Sequence, residues 1–442
     1  MKPLATAENK VLIKGDPKVI QAWVMYDWAN SVYQLTIAST IFPIYYNAVT
    51  RHGSDFVVDF FGFKVVNTVL YSWAISVAYL LVALGSPIFS SIADYSGRRK
   101  AFMRGFTLLG AAGCGLLYFF DSSHIELGII AFTLATIGYG GSIVFYNSFL
   151  PVIAEPEDQD RISAKGYSMG YLGGVILLLF NLLLIMKPQW VGLSTQSDLP
   201  PRIAFVTVCL WWIGFSSITF KKLPKYVYGQ NIDRNHVWLH GYHELQAVFK
   251  QVRSSFRLSV FLLAFFFLMM GILTTMFMAA SFGEKELGLK DDVLIPTILI
   301  IQLVAILGAW LFAKLSGRIG NVQALLVTVF VWILICIYAF TIQNAVGFIV
   351  AALFIGLVMG GSQSLARSTY SKMLPETKDH TSFFSFYDVM EKMATVAGTF
   401  SFGLIEMWTG SMRYSVLSIA GFFLIGFLFL LILVKHERVL SR

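Results

Sequence analysis

Apolar runs of about 18–25 residues recur from one end of this chain to the other, and that recurrence constrains the fold more than any other feature. Each run is long enough to cross a hydrocarbon layer of about 30 Å as a helix. Twelve spans are expected, near 24–47, 67–92, 102–120, 127–150, 166–186, 202–220, 257–281, 293–313, 322–342, 345–371, 383–408 and 413–434. Charged residues make up 13% of the 442 residues and hydrophobic ones 57%, whereas roughly a quarter of a soluble domain is charged. The expected fold is therefore an all-α polytopic membrane protein.

The net charge of +8 raises the question of a nucleic-acid partner, and its distribution answers it. With the N-terminus inside, 25 of the 33 Lys and Arg fall at inner segments and 7 at outer ones, and Lys392 lies within a span. That bias is a topology signal, which predicts cytoplasmic termini and a cytoplasmic central loop. The first 23 residues are polar, with Lys2, Lys10, Lys14 and Lys18. The run after them has no small-residue cleavage site and exceeds a signal-peptide core, so the first helix is expected to be retained. Cys114, Cys209 and Cys336 all lie inside spans, which speaks against a disulfide framework or a CxxC site.

A long basic stretch, 221–256, separates six spans from six. The expected organisation is a cytoplasmic segment 1–23, a six-helix bundle 24–220, the central loop 221–256, a second bundle 257–434 and a tail 435–442. Three matches suggest duplication: GGS at 140–142 and 360–362, Pro151 and Pro375, and SIADYSG at 91–97 laid on KLSGRIG at 314–320. Their offsets agree within a few residues, as internally repeated membrane bundles require.

The turn after the second span reads IADYSGRRK, 92–100. Asp94 can accept hydrogen bonds from the start of a neighbouring helix, Gly97 permits a tight turn, and Arg98, Arg99 and Lys100 form a cationic cluster. The bland alternative is an ordinary positive-inside loop. Here the sequence resembles the major facilitator superfamily, whose corresponding loop reads Gly-x-x-x-Asp-Arg-x-Gly-Arg-Arg. Asp94, Gly97 and the basic residues after it match, while Ser90 replaces the first Gly and Tyr95 the basic residue. The second copy keeps Arg318 and Gly320 but has Gly317 at the Asp position, so any latch at this loop is expected to be one-sided. YDWANSVYQ (26–34), FYNSFLP (145–151), GYLGG (170–174), SLARS (364–368) and FYDVMEK (386–392) further resemble the vacuole-effluxer, or unknown-major-facilitator, branch. The resemblance implies two pseudo-symmetric six-helix bundles, alternating access and export of small solutes, amino acids being the class described for vacuolar members.

Ionisable residues inside a span cost about 2.5–3.5 kcal/mol at a helix centre and normally face a cavity or a partner. On the first span Asp27, Asn30, Ser31 and Gln34 fall at about 0°, −60°, +40° and −20° around a 100° wheel, one polar stripe. Asp388, Glu391, Lys392 and Thr395 repeat that spacing on the eleventh. The fourth and tenth spans run the other way and bring Tyr146, Asn147, Gln363 and Arg367 to the same depth. The resemblance places helices 1, 4, 7 and 10 around a central cavity with helix 11 beside it, so an inner polar vestibule is expected. Its charges can balance, Asp27, Asp388 and Glu391 against Arg367 and Lys392. The competing readings are gate ion pairs, pairs that only hold helices together, an interfacial helix cap for Asp27 and a snorkelled Arg367.

Two other patterns carry less. GYSMG, 166–170, has the G-x-S-x-G spacing of a nucleophile elbow, but it opens a membrane helix, where small-residue packing is the better reading. His236, His240 and His243 could share a helical face, yet no Cys or acidic cluster supports a metal; an amphipathic helix through 235–252 lying on the membrane is expected instead. No metal, cofactor or enzymatic activity is expected. The expected function is secondary active transport of a small polar or zwitterionic solute by a monomer in a bacterial inner membrane, with protons as a candidate coupling ion. In that reading Arg367 or Lys392 holds an anionic group, Asp27 or Glu391 an ammonium group, and Tyr33, Phe145 and Tyr146 form an aromatic wall. The alternatives are a broad exporter of larger amphipathic compounds, favoured by Met270, Met276 and Met278, and a non-transporting receptor.

Overall fold

The computed structural model describes residues 14–50, 57–192, 198–224, 237–377 and 379–440. The first rod begins with α1 (Pro17–Val32), continues through a π-helical stretch over Tyr33–Ile41 and ends with α2 (Phe42–Thr50). Asp16 caps it, its Oδ1 accepting from the Lys18 amide at 2.8 Å, and Pro17 supplies the fixed φ that suits a first helical position. The helix therefore starts well before residue 24, and Asp27 sits inside it; the reading of Asp27 as an interfacial cap is overturned. A hairpin of β1 (Val57–Phe60) and β2 (Phe63–Val66) leads to α3 (Asn67–Ser96), α4 (Arg99–Leu116), α5 (Ile125–Asn147) and the short α6 (Leu150–Ile153). α7 (Gln159–Met186) and α8 (Leu199–Lys222) complete the first half. After α9 (Val237–Ser254), the second half comprises α10 (Phe256–Leu287), α11 (Asp291–Ile319), α12 (Asn321–Thr341), α13 (Ala345–Met373), α14 (His380–Thr409) and α15 (Met412–Leu440).

Ten of the described helices are long and apolar enough to cross a membrane. The two rods outside that set, α1 with its continuation and α14, are those that carry the polar stripes. α1 proper stops after 16 residues, and α14 holds Asp388, Glu391, Lys392 and Glu406. α1 falls outside the set on its length and α14 on its polar and charged residues.

Packing within the halves repeats. α1 lies against α7 and α8 as α10 lies against α14 and α15; α5 contacts α3 and α4 as α13 contacts α11 and α12; α8 meets α4 as α15 meets α12. The buried apolar clusters separate the same way, one confined to 248–434 and two confined to the first half. Between the halves, α7 runs beside α11 and α14 beside α3. Close approach within each half depends on small residues, which let backbones touch where lipid supplies no hydrophobic drive. A Cβ on Gly356 would lie 2.6 Å from the Ile301 carbonyl, and one on Gly360 or Gly308 would collide with the opposite helix of the α11–α13 pair. Met270 and Met278 serve packing in this half, Met270 inside the main cluster and Met278 against its edge.

The amphipathic segment is helical, but protein covers part of it. Val248 and Val252 are buried, and the Phe249 ring lies 5.9 Å from that of Phe386 on α14. α9 packs along α3, α10 and α14. His236 and the side chain of His240 lie outside the described residues, and His243 is exposed.

Candidate functional site

The polar stripe of α1 opens onto a cavity of about 150 Å³ between the halves. Asp27, Asn30 and Ser31 of α1, with Gln34 of the π-helical stretch, form its wall on the first rod. α5 adds Tyr139, Ile143 and Asn147, four residues apart, which puts them on one helical face. From the second half come Gln363 and Arg367 on α13 and Glu391, Lys392 and Thr395 on α14. Met269, Leu273 and Met276 supply an apolar patch from α10.

The aromatic wall differs from the expected one. Tyr79, Tyr139, Tyr167, Tyr171 and Tyr387 line the cavity, whereas Tyr33, Phe145 and Tyr146 are buried in the first half. Rotation around α5 is the reason: Tyr146 is one residue off the 139–143–147 face and so turns toward α1, where its ring stacks on Trp23 at 4.5 Å. Tyr33 is bonded to Thr136 at 2.7 Å. The α7 lining residues Tyr167, Gly170, Tyr171 and Gly174 fall at i, i+3, i+4 and i+7, a single helical stripe that the sequence spacing carries.

Arg367 is the centre of the arrangement. It is 2% exposed, so it does not snorkel, and it reaches from α13 into the first half. Its Nη1 donates to Asp27 Oδ2 at 3.2 Å and to Asn147 Oδ1 at 3.4 Å; Nε donates to Ser163 Oγ at 2.9 Å and Nη2 to the Ser163 carbonyl at 2.8 Å. Rings of Trp23, Tyr167 and Tyr146 lie 4.8, 4.2 and 5.5 Å from the guanidinium carbon, where their π faces attract a cation. Tyr146 Oη donates to the same Asp27 oxygen at 2.7 Å. Every nitrogen of Arg367 is thus engaged with the opposite half.

GYSMG packs helices together. A Cβ on Gly166 would collide with Asp27 Oδ2 and come 2.9 Å from Arg367 Nη2, while one on Gly170 would meet Ser31 Oγ. Gly166 leaves the space in which the ion pair forms.

Lys392 is 4% exposed, and its Nζ lies 3.1 Å from Asp388 Oδ1 and 2.9 Å from Glu391 Oε1. The ammonium also sits 5.5 Å from the Tyr79 ring across the seam. Asp388 stands behind the cavity wall rather than on it; its Oδ2 is buried without a described partner, as is Asn30 Nδ2.

The IADYSGRRK turn grips the other half directly. Asp94 Oδ1 accepts from the Thr381 amide at 3.3 Å and from Arg99 Nε at 2.7 Å, and Oδ2 accepts from the Ser382 amide at 2.7 Å. A carboxylate at the first turn of α14 satisfies amides that have no intrahelical partner and meets the positive end of the helix dipole. Gly97 takes φ +65°, a left-handed conformation suited to glycine. The expected cationic cluster is dispersed, because only Arg98 is exposed. Arg99 is fully buried against Asp94, and Lys100 donates to the carbonyls of Phe220 and Leu223 at 3.1 and 2.7 Å, closing the end of α8.

The latch is also not one-sided. Asp160, in the first turn of α7, accepts from Asn321 Nδ2 at 2.6 Å and Ser316 Oγ at 2.7 Å, and pairs with Lys372 Nζ at 2.8 Å. The carboxylate missing at Gly317 is supplied from across the seam. In EPEDQDR, 155–161, it reads as one more surface acid, and no local signal separates it from its neighbours. Ser163 Oγ adds a bond to the Ser364 carbonyl at 2.8 Å, Thr381 Oγ1 one to Ser148 Oγ at 3.1 Å, and Tyr171 Oη one to Gln363 Oε1 at 2.7 Å. Among the described residues, the hydrogen bonds and ion pairs between halves lie from mid-membrane to the face that bears the 2–3 turn. That face is bolted.

Two six-helix bundles with a polar cavity at their seam, interlocked on one face, define a multi-pass membrane protein of the major facilitator class, the class of secondary transporters. The profile of the family described as "Vacuole effluxer Atg22 like" matches residues 15–160 and 153–440, and the chain belongs to that family. It is 27% identical to the Bacillus subtilis MFS-type transporter YxiO over 95% of both chains. It is also 24% identical to Autophagy-related protein 22 of Yarrowia lipolytica, over 88% of this chain and 79% of that protein. Among solved structures, the major facilitator transporter FucP in its outward conformation superposes with a TM-score of 0.72 at 15% identity, covering 95% of this chain and 99% of FucP. At that identity the likeness carries the fold alone.

Proposed function

We propose that the protein exports a small polar or zwitterionic, amino-acid-like solute by alternating access, from the cytoplasmic side of a bacterial inner membrane, as a monomer coupled to protons. The observation that carries this reading is the cavity of about 150 Å³, polar on the α1 and α14 walls and sealed on the basic face by Arg367 and Asp27. Its size suits a solute of amino-acid dimensions and argues against larger amphipathic cargo. With the basic face cytoplasmic, as the positive-inside bias predicts, the described state is closed inward.

In this reading Arg367 is a bolt rather than a solute ligand, since its donors are already occupied by the protein. A proton arriving from outside neutralises Asp27, which removes the charged partner of Arg367 and frees the inner face to open. Loss of that proton to the cytoplasm, with solute bound, restores the pair and closes the face again. The sequence of steps is antiport.

The test is solute flux in proteoliposomes under an imposed pH gradient, using amino acids as the first panel. Efflux driven by an opposing proton gradient, and abolished by Asp27→Asn, is the expected result. Flux indifferent to the gradient would remove proton coupling; absence of flux for every small polar solute would remove the functional reading.

A further inference from the structure

We propose that the cavity is a receptor for one positive charge, carried by an ammonium group of the solute, with Glu391 as its carboxylate partner. The inference rests on the transport reading and adds to it the chemical class of the cargo. Around the cavity, among the described residues, stand two cations, Arg367 and Lys392, and three carboxylates, Asp27, Asp388 and Glu391, in two contiguous networks. Arg367 is matched by Asp27, and Lys392 by Asp388 and Glu391 together. One negative charge is left over, in surroundings where an unmatched ion is costly.

Geometry locates the surplus on Glu391. The Asp388 side chain is 3% exposed and lies behind the wall, whereas Glu391 lines the cavity with its side chain 26% exposed. Both cations are held by protein groups, so neither is free to receive a solute carboxylate. Tyr139 on α5 and Tyr387 on α14 also line the cavity and bring no anion-binding charge to it. Asn30 lines the same cavity from the α1 wall, and its Nδ2 is buried with no described partner.

Three probes of similar size separate the charge classes: n-propylammonium, propionate and β-alanine, titrated against the purified full-length protein by thermal stabilisation and by calorimetry. The cation is expected to bind best, the zwitterion next, and propionate not at all. Glu391→Gln is expected to weaken n-propylammonium about tenfold or more, the loss of one charge-assisted hydrogen bond, while leaving the protein folded and its inner face closed. Asp388→Asn, which also cancels the surplus, is expected to weaken it comparably. Binding of n-propylammonium no tighter than propionate, including the case where neither binds, overturns the proposal, as does undiminished binding by Glu391→Gln. A cavity whose surplus charge is permanently cancelled by a proton produces the first of those results. Flux confined to anionic solutes would refute this inference and leave the transporter reading standing; cation binding without any flux would do the reverse.

Discussion

Asp27→Asn removes one charge from the bolt and almost no volume. In the native seam Arg367 has four polar contacts, and only the one to Asp27 carries an opposite charge. Breaking a buried pair by removing one partner costs about 3–5 kcal/mol, because the other charge stays buried and uncompensated. Asn retains a carbonyl oxygen, and the contacts to Ser163 and Asn147 persist, so the low end applies, about 3 kcal/mol. That cost falls on the state with the basic face closed; when the face opens, the guanidinium meets water. At about 1.4 kcal/mol per decade the closed-to-open ratio should fall about a hundredfold. A reporter cysteine at Ser364, whose carbonyl accepts from Ser163 across the seam and which is 1% exposed, reads that change in a background with Cys114, Cys209 and Cys336 replaced. Labelling by a membrane-impermeant maleimide supplied at the basic face should accelerate in the Asn variant. A rate within about threefold of the parent, about 0.6 kcal/mol, would show that the ion pair does not hold the face shut.

Three further outcomes follow from the same geometry. Gly166→Ala should yield a folded protein whose Ser364 reporter labels as fast as in Asp27→Asn, because the added methyl occupies the space of the Asp27–Arg367 pair; normal labelling would mean that the helices shift to accommodate it. Asp94→Asn should lower the melting temperature by breaking the buried Asp94–Arg99 pair, a loss of about 3–5 kcal/mol, and Arg99→Met in the same chain should recover part of it; thermal unfolding in detergent measures both. Asp160→Asn should open the second latch and raise labelling of a cysteine placed at Ser316, whose hydroxyl Asp160 now accepts; equal labelling with and without the carboxylate would reduce Asp160 to a surface charge.

What was legible in the sequence is what depends on short stretches of chain. Length and apolarity of the runs set the spans, since a helix in lipid must satisfy its own backbone bonds and match the hydrocarbon thickness. The 27–30–31–34 and 388–391–392–395 spacings identified polar faces, because helical phase is a local property. The Asp94 turn likewise announced a helix-start contact from its residue types alone.

Tertiary structure decided which faces meet. The Asp27–Arg367 pair joins residues 340 positions apart, and nothing in either segment states that α13 reaches across to α1. Tyr146 and Tyr139 stand on the same helix with similar neighbours, and only the rotation of α5 against α1 assigns one to the interior and the other to the cavity. Asp160 meets Ser316, Asn321 and Lys372 only because the fold sets the ends of α11, α12 and α13 beside it. Helical periodicity constrains a residue's direction relative to its own helix, whereas pairing depends on how two rigid helices are rotated and displaced against each other, a relation carried by packing over the whole seam.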